Sequence, residues 1–305
     1  MIYEYAISPT LAIFWAMDRK EYRYFYEQFG LGQSRIMSEF PKFRNWRRQF
    51  WKAAAGAKDF EQQRLTAIFG LLTERLVRRD GFTYDGNISW LQNAEPENER
   101  FPFHAILASD NPRHYRKVIT PSAIETSPLW RNSKQDYCPR TAREMAQLVS
   151  AMISNCSKMY FIDPHFGPEN VRYRRPLEAF LKRVAINRYG RSAPKCIEIH
   201  TSDKAEAGFF KETCQERLPG IVPTGLCIKM KRWREVPDGE KLHERFILTD
   251  IGGVKVGPGL DEGSASENFE VMLLERNMFV KQWNDYVDKP AFDLAEDPII
   301  IIGNA

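Results

Sequence analysis

The chain has 305 residues, enough for one large domain or two ordinary ones. Its 44 Lys and Arg against 40 Asp and Glu leave a formal charge of +4, too small by itself to imply nucleic acid. Hydrophobic residues at 43% and charged ones at 28% exclude a disordered chain, a collagen and a coiled coil.

In chain order, Ser8-Pro9 reads as a helix start, a cap residue followed by a proline whose missing N–H costs nothing there. Leu11, Phe14, Trp15, Tyr22, Phe25, Tyr26 and Phe29 then recur at helical spacing, until Gly30 and Gly32 break the pattern. A second helix fits Asp59 to Arg79, with Leu65, Ile68, Phe69, Leu72 and Leu76 on one face. Between them, Pro41 to Lys52 holds five basic residues, four aromatics and no acid. Residues 1–80 carry 14 Lys and Arg against 9 Asp and Glu, and read as a helical, basic region. In Lys42–Lys52 the arginines Arg44, Arg47 and Arg48 are candidates to bind nucleic-acid phosphates while the aromatics stack on bases. The competing reading is an amphipathic helix with Phe43, Trp46, Phe50 and Trp51 turned inward.

Residues 81–138 read as a connecting segment of short strands, Phe82 to Trp90 and Pro102 to Ala108, with turns at Asp85-Gly86, Asn111-Pro112 and Thr120-Pro121. His104 and His114 read as structural. From 139 to 305 the chain alternates. Helices are expected over Thr141–Cys156, Pro176–Val184, Ala207–Arg217 and Asn277–Val287. Strands are expected over Met159–Ile162, Lys195–His200, Leu226–Lys231, Phe246–Thr249, Val254–Val256 and Phe269–Leu274. This order predicts an α/β sandwich with a mixed sheet.

No run approaches the roughly 18 apolar residues that span a bilayer, and Met1 to Tyr5 has no basic segment before an apolar core, so a cytoplasmic protein is expected. The five cysteines, Cys138, Cys156, Cys196, Cys214 and Cys227, are widely spaced with no C-x-x-C, and read as buried thiols.

The stretch Leu242 to Asp261 carries the chemistry. His243 and Arg245 are two apart at the start of a strand, so an imidazole and a guanidinium project to one face. Asp250 closes that strand, and Gly252-Gly253 is expected to turn the chain into a hairpin with Val254 to Val256. The Gly257-Pro258-Gly259 loop brings Asp261 back beside the first strand, and Asn268-Phe269-Glu270 enters another. A cation beside an imidazole, backed by a glycine loop and a carboxylate, suits attack on a phosphate ester.

These residues resemble the phospholipase D superfamily, whose mark is H-x-K-x4-D-x6-G-[SG]-x2-N followed by N-x-E. His243, Arg245, Asp250, Gly257 and Asp261 fall on the five landmark positions, and Asn268-Phe269-Glu270 matches the later element. Phe161 to Phe166 is similar to the strand that opens such a domain. Arg245 stands for the lysine, Pro258 for the serine or glycine, and Asp261 for the asparagine. The resemblance implies a phospholipase D-like α-β-α sandwich after a mainly helical N-terminal region. It implies a metal-independent phosphodiesterase without cofactor, in which His243 forms a phosphohistidine, Arg245 holds the nonbridging oxygens, Glu270 orients His243, and Asp261 completes the site. Asp250 and Gly257 would be structural supports. One motif per chain implies a homodimer with a shared site; His165 and His200 are the alternative second histidines.

Lys229, Lys231, Arg232 and Arg234, with Trp233 among them, form a basic strip leading to His243 and favour nucleic acid as partner. The resemblance suggests a bacterial nuclease of antiviral defence, with a partner protein in a multi-component system. Two alternatives stay open: a catalytically inactive nucleic-acid-binding or assembly module of the same fold, and a phospholipid phosphodiesterase.

Overall fold

The structure is a computed structural model and describes residues 2–131, 133–186, 194, 197–264 and 266–305. Lys195, expected to open a strand, and Cys196 lie outside the described residues. The chain divides into two compact units, one within residues 2–133 and one within 134–305.

The first unit contains β1 (Tyr3–Ile7), α1 (Pro9–Met17), α2 (Arg19–Tyr26), β2 (Arg35–Ser38), α3 (Phe43–Ala53), α4 (Asp59–Thr73), β3 (Leu76–Val77), α5 (Trp90–Arg100), β4 (Ala105–Leu107) and β5 (Val118–Ile119). Its strands are all parallel, in the order β3-β2-β1-β4-β5. The mainly helical reading of 1–80 is therefore corrected: this is a doubly wound α/β unit, and 1–80 and 81–138 do not part at 80, because β4 lies beside β1. Strands buried on both faces show no alternation of apolar and polar residues, so they left no period-2 signal. Tyr5 and Ile7 face one core, formed with Leu11, Trp15, Phe25, Trp46, Phe50 and Leu65. Ala6, between them, faces the other, formed with Phe40, Trp90, Leu91 and Ala94. The helix expected to run from Asp59 to Arg79 stops at Thr73, and Leu76–Val77 pairs with Met37–Ser38. Phe82 to Trp90 is loop leading into α5 rather than a strand.

A buried ion cluster joins this unit's elements. Arg79 is fully buried and bonds Glu4 at 2.7 Å, Glu97 at 2.9 Å and the Phe101 carbonyl at 2.6 Å, with the Phe103 ring 3.8 Å from its guanidinium. His104, half-buried, lies 2.9 Å from the Leu129 carbonyl; burial lowers its pKa to about 4.

The second unit contains β6 (Gln135–Pro139), α6 (Ala142–Leu148), α7 (Ser150–Ile153), β7 (Met159–Ile162), α8 (Val171–Ala185), β8 (Ile197–Ser202), α9 (Ala207–Arg217), β9 (Cys227–Arg234), β10 (Arg245–Thr249), β11 (Gly252–Val256), β12 (Asn268–Leu273), α10 (Arg276–Trp283), β13 (Asp293–Leu294) and β14 (Ile299–Ile302). These strands form one mixed sheet in the order β13-β9-β8-β7-β10-β11-β12-β6, with β14 also on β9. β7, β8 and β9 are parallel, and β10 to β12 and β6 are antiparallel. The expected alternation and the mixed sheet are present.

The hairpin turn is Asp250-Ile251, not Gly252-Gly253, because Thr249 pairs with Gly252. The glycines belong to β11, where a Cβ on Gly253 would lie 2.7 Å from Leu248 Cδ2. Cys156 and Cys214 are buried and Cys138 and Cys227 partly so; burial pushes the Cys214 thiol up to about 12 and Cys138 to about 11.

Candidate active site

β7 and β10 run antiparallel with Phe246 opposite Ile162, so Arg245 enters β10 where β7 ends at Asp163. β7 is apolar throughout, and a charged residue directly after it emerges at the sheet's edge. Asp163 is nonetheless 1% exposed. Burial raises its pKa, while the amides of Leu260 (2.8 Å) and His165 (2.9 Å) donate to it and oppose that rise. Arg245 Nε lies 4.0 Å from Asp163 Oδ1, and this buried N–H has no hydrogen-bond acceptor among the described residues. The Arg245 side chain as a whole remains 25% exposed.

His243 sits just ahead of β10 and is 68% exposed. Its Nδ1 lies 3.2 Å from the Lys241 carbonyl, and its Nε2 3.4 Å from Glu244, which Lys255 holds at 2.7 Å. Among the described residues, Glu270 makes no hydrogen bond to it. Arg245 pairs with Val256 and Val256 with Val271, so these three share one face, and Glu270, one residue before Val271, points to the other. Glu270 instead accepts the Gly257 amide through its carbonyl at 2.9 Å, which fixes the start of the glycine loop.

Asp261 returns to this edge of the sheet as expected, but its charge is already matched. Arg140 Nη2 bonds Asp261 Oδ1, Arg140 Nε donates to the Asp261 carbonyl at 3.0 Å, and Arg172 Nη2 lies 2.9 Å from Oδ2. Arg140 also holds Glu267 at 2.9 Å. Gly259 has φ +143°, and a Cβ there would lie 2.7 Å from Asp261 Oδ1 and 3.4 Å from Asp163 Oδ2, so the loop can fold this closely only with glycine. Burial raises the Tyr173 phenol, and the nearby carboxylates Asp163 and Asp261 add to the rise. Asp250 is structural: it accepts from the Ser157 amide at 2.8 Å and the Lys158 amide at 3.0 Å, and the Ser157 hydroxyl also bonds it, which ties the hairpin turn to the start of β7.

Asp163, Arg140, Arg172 and Tyr173 were not singled out from the sequence. For Asp163 the signal was present, a charge at the end of an all-apolar strand. Arg140 and Arg172 meet Asp261 only through tertiary folding, and no local pattern marks them.

The basic strip divides by face. Arg232 is a buried structural residue, with bonds to Glu296 at 2.7 Å and the Asp203 carbonyl at 3.0 Å. Lys231 and Lys229 face the other way and both meet Glu198, at 2.6 and 3.7 Å, and Arg234 pairs with Asp203 at 2.9 Å. His200 is fully buried 3.1 Å from Glu198, and burial lowers its pKa, so it cannot meet a substrate from solvent. Burial alone would raise Glu198, but hydrogen bonds from His200 and Lys231 hold it at about 2. His165 is exposed beside Asp163. In the other unit, Arg44, Arg47 and Arg48 are exposed on α3, whereas Trp46 and Phe50 are buried and Phe43 and Trp51 half-buried, so the core-packing reading of those aromatics holds. Among the described residues, no group of three or more His, Cys, Asp or Glu is placed to hold a metal ion, and no helix is long and apolar enough to cross a membrane.

No protein-family model and no curated protein matches this chain. A solved structure of TrmBL2, described as an archaeal chromatin protein with a novel mode of DNA binding, aligns over 55% of this chain and 56% of its own at 12% identity, with a TM-score of 0.28. A likeness of that size carries no weight for fold or function.

Proposed function

We propose that the second unit is a phospholipase D-like phosphodiesterase that cleaves nucleic acid through His243 without a metal. The observation that supports this best is Arg245, whose buried Nε–H has no acceptor among the described residues, two positions after the exposed imidazole of His243. An unsatisfied guanidinium donor favours an anion that brings its own oxygens. In this reading the imidazole nitrogen of His243 attacks phosphorus, and Arg245 binds the nonbridging oxygens as negative charge builds. The P–O bond to the leaving group breaks and that oxygen takes a proton from a second imidazole. Water, losing its proton to that same imidazole, then breaks the N–P bond and frees His243. The second imidazole is His243 of a two-fold-related copy, with His165 as the donor should the chain act alone.

Asp261 is a scaffold here rather than a substrate contact, since two arginines already hold it. The same pairing, together with the outward face of Glu270, favours one second reading, an inactive module of the same fold that binds without turnover.

The test is cleavage of labelled single- and double-stranded DNA and RNA in excess EDTA, by the natural protein and His243→Ala. We expect EDTA-resistant cleavage that falls by at least about 10²-fold in the variant, and alkali-stable, acid-labile label on the natural protein alone after rapid quenching at alkaline pH. Cleavage unchanged by the substitution, or lost in EDTA, overturns the mechanism. Binding by both proteins with cleavage by neither selects the inactive module.

A further inference from the structure

The first unit has a crevice that the reading above does not use. Its strand order reverses between β1 and β4: the chain leaves β1 toward β2 on one side, and β5 follows β4 on the other. The connections therefore diverge at the carboxyl ends of these two strands, the place where open parallel sheets take up ligands. A cavity of about 260 Å³ lies there, between Ser8-Pro9-Thr10 after β1 and Ala108-Ser109-Asp110 after β4. Gln49 and Trp90 line it and also line a second cavity of about 570 Å³, so the two meet along these side chains. Arg48, Lys52 and Ile88 are on the wall of the second.

The chemistry of the lining is sorted by region. Arg48 and Lys52 are exposed, one helical turn apart on α3, and among the described residues neither has a carboxylate within ion-pair distance, unlike the paired lysines of β9. At the β1 end, α1 opens on the crevice with no acidic residue in its first turn and no side-chain cap, because Ser8 Oγ is bonded to Thr10 Oγ1 at 2.7 Å instead. The Trp90 indole lines both cavities, Ile88 lines the one with Arg48 and Lys52, and the exposed carboxylate of Asp110, which can only accept hydrogen bonds, lines the one at the β1 end. Unpaired cations, an aromatic edge, and the Asp110 carboxylate with the hydroxyls of Thr10, Ser89 and Ser109 match phosphate, base and sugar hydroxyls in turn. The combined space is that of a small-molecule site.

We propose that this crevice binds a nucleotide, with its phosphates against Arg48 and Lys52 and its ribose hydroxyls toward Asp110. Arg48, which the sequence pattern assigned to a nucleic-acid polymer, then serves a small ligand. The proposal stands independently of any chemistry at His243.

The full chain is titrated calorimetrically with ATP, ADP, AMP, NAD and inorganic phosphate, and thermal unfolding is followed with each at 1 mM. We expect at least one nucleotide to bind saturably and to raise the first unit's midpoint by about 3 °C or more. Arg48→Ala with Lys52→Ala should weaken it at least about tenfold, since two charge-assisted bonds to phosphate are lost. Both side chains are exposed, so that variant should keep its fold, checked by circular dichroism. Ser109→Trp, a second exposed position, should block the β1–β4 cavity without touching the cations. No binding by any of the nucleotides overturns the proposal. So does binding that survives both variants, and so does binding of a single-stranded oligonucleotide through Arg48 and Lys52 when no mononucleotide binds.

Discussion

Replacing Arg140 with Met tests whether Asp261 is scaffold or substrate contact. The substitution keeps most of the apolar stem and removes three contacts: the ion pair to Asp261 Oδ1, the bond to the Asp261 carbonyl and the bond to Glu267. Arg140 and Asp261 have side chains only 9% and 13% exposed, so their interaction is poorly screened. Breaking a buried pair by removing one partner costs about 3–5 kcal/mol when nothing else compensates. Here Arg172 still reaches Asp261 at 2.9 Å, though it is 53% exposed, so a loss of about 2–3 kcal/mol is expected. Asp261→Asn in the Arg140→Met background should then cost less than Asp261→Asn alone, with a coupling of about 1–2 kcal/mol. Urea denaturation of the four proteins of this cycle, followed by far-UV circular dichroism, measures it. A cost under about 0.5 kcal/mol for Arg140→Met, or no coupling, refutes the scaffold role. An Asp261→Asn protein that keeps its stability but loses turnover refutes it from the other side.

Arg79→Met should destabilise the first unit by about 2–4 kcal/mol, because it removes the buried guanidinium that bridges Glu4 and Glu97, although Arg100 still reaches Glu97 at 2.7 Å; the midpoint in urea checks it. Burial lowers His104 to about 4 from 6.5, so the unfolded chain binds the proton first. Its contribution is fully present above pH 6.5 and is lost as pH falls toward 4, and His104→Asn should flatten the stability profile across that window. Asp250→Ala should cost about 1–2 kcal/mol through lost bonds to Ser157 and Lys158, and leave turnover per folded molecule unchanged, since Asp250 lies beyond the far end of β10 from Arg245. An equal fall in activity and stability would instead couple that turn to the site.

The C-terminal unit was more legible than the N-terminal one for a physical reason. Met159–Ile162 and Ala207–Arg217 appear where the pattern put them, because a short apolar run and a polar run free of internal glycine and proline breaks after its first turn each match one element length. β1 and β2 are buried on both faces and β3 has two residues, so the strong aromatic periodicity of the helices around them dominated the reading. At the site, Arg245 opens β10, whereas His243 lies two residues ahead of the strand, where strand parity does not assign its face. Glu270 falls on the face opposite Arg245, because its face follows from the register of β11 against β12, and one residue of parity separates the two sides of a sheet.

The same parity governs the basic strip. Lys229, Lys231, Arg232 and Arg234 read as one cationic run toward His243, but a strand divides such a run between two environments. Arg232 turns into the protein and is bound by Glu296 and two carbonyls, so its charge makes no field outside. Lys229 and Lys231 converge on Glu198, whose carboxyl is held at about 2 and so stays ionised throughout the range in which the protein would work. Arg234 meets Asp203. Each positive charge of the strip thus has a carboxylate within ion-pair distance, and a polyanion there would have to displace it. On α3, by contrast, Arg48 and Lys52 come from a segment without a single acid, and among the described residues no carboxylate lies within ion-pair distance of them. What attracts an anion is the charge left unmatched after folding. By that measure the cations of α3 come first, and Arg245, 4.0 Å from Asp163, offers an anion an unsatisfied Nε–H rather than an unmatched charge.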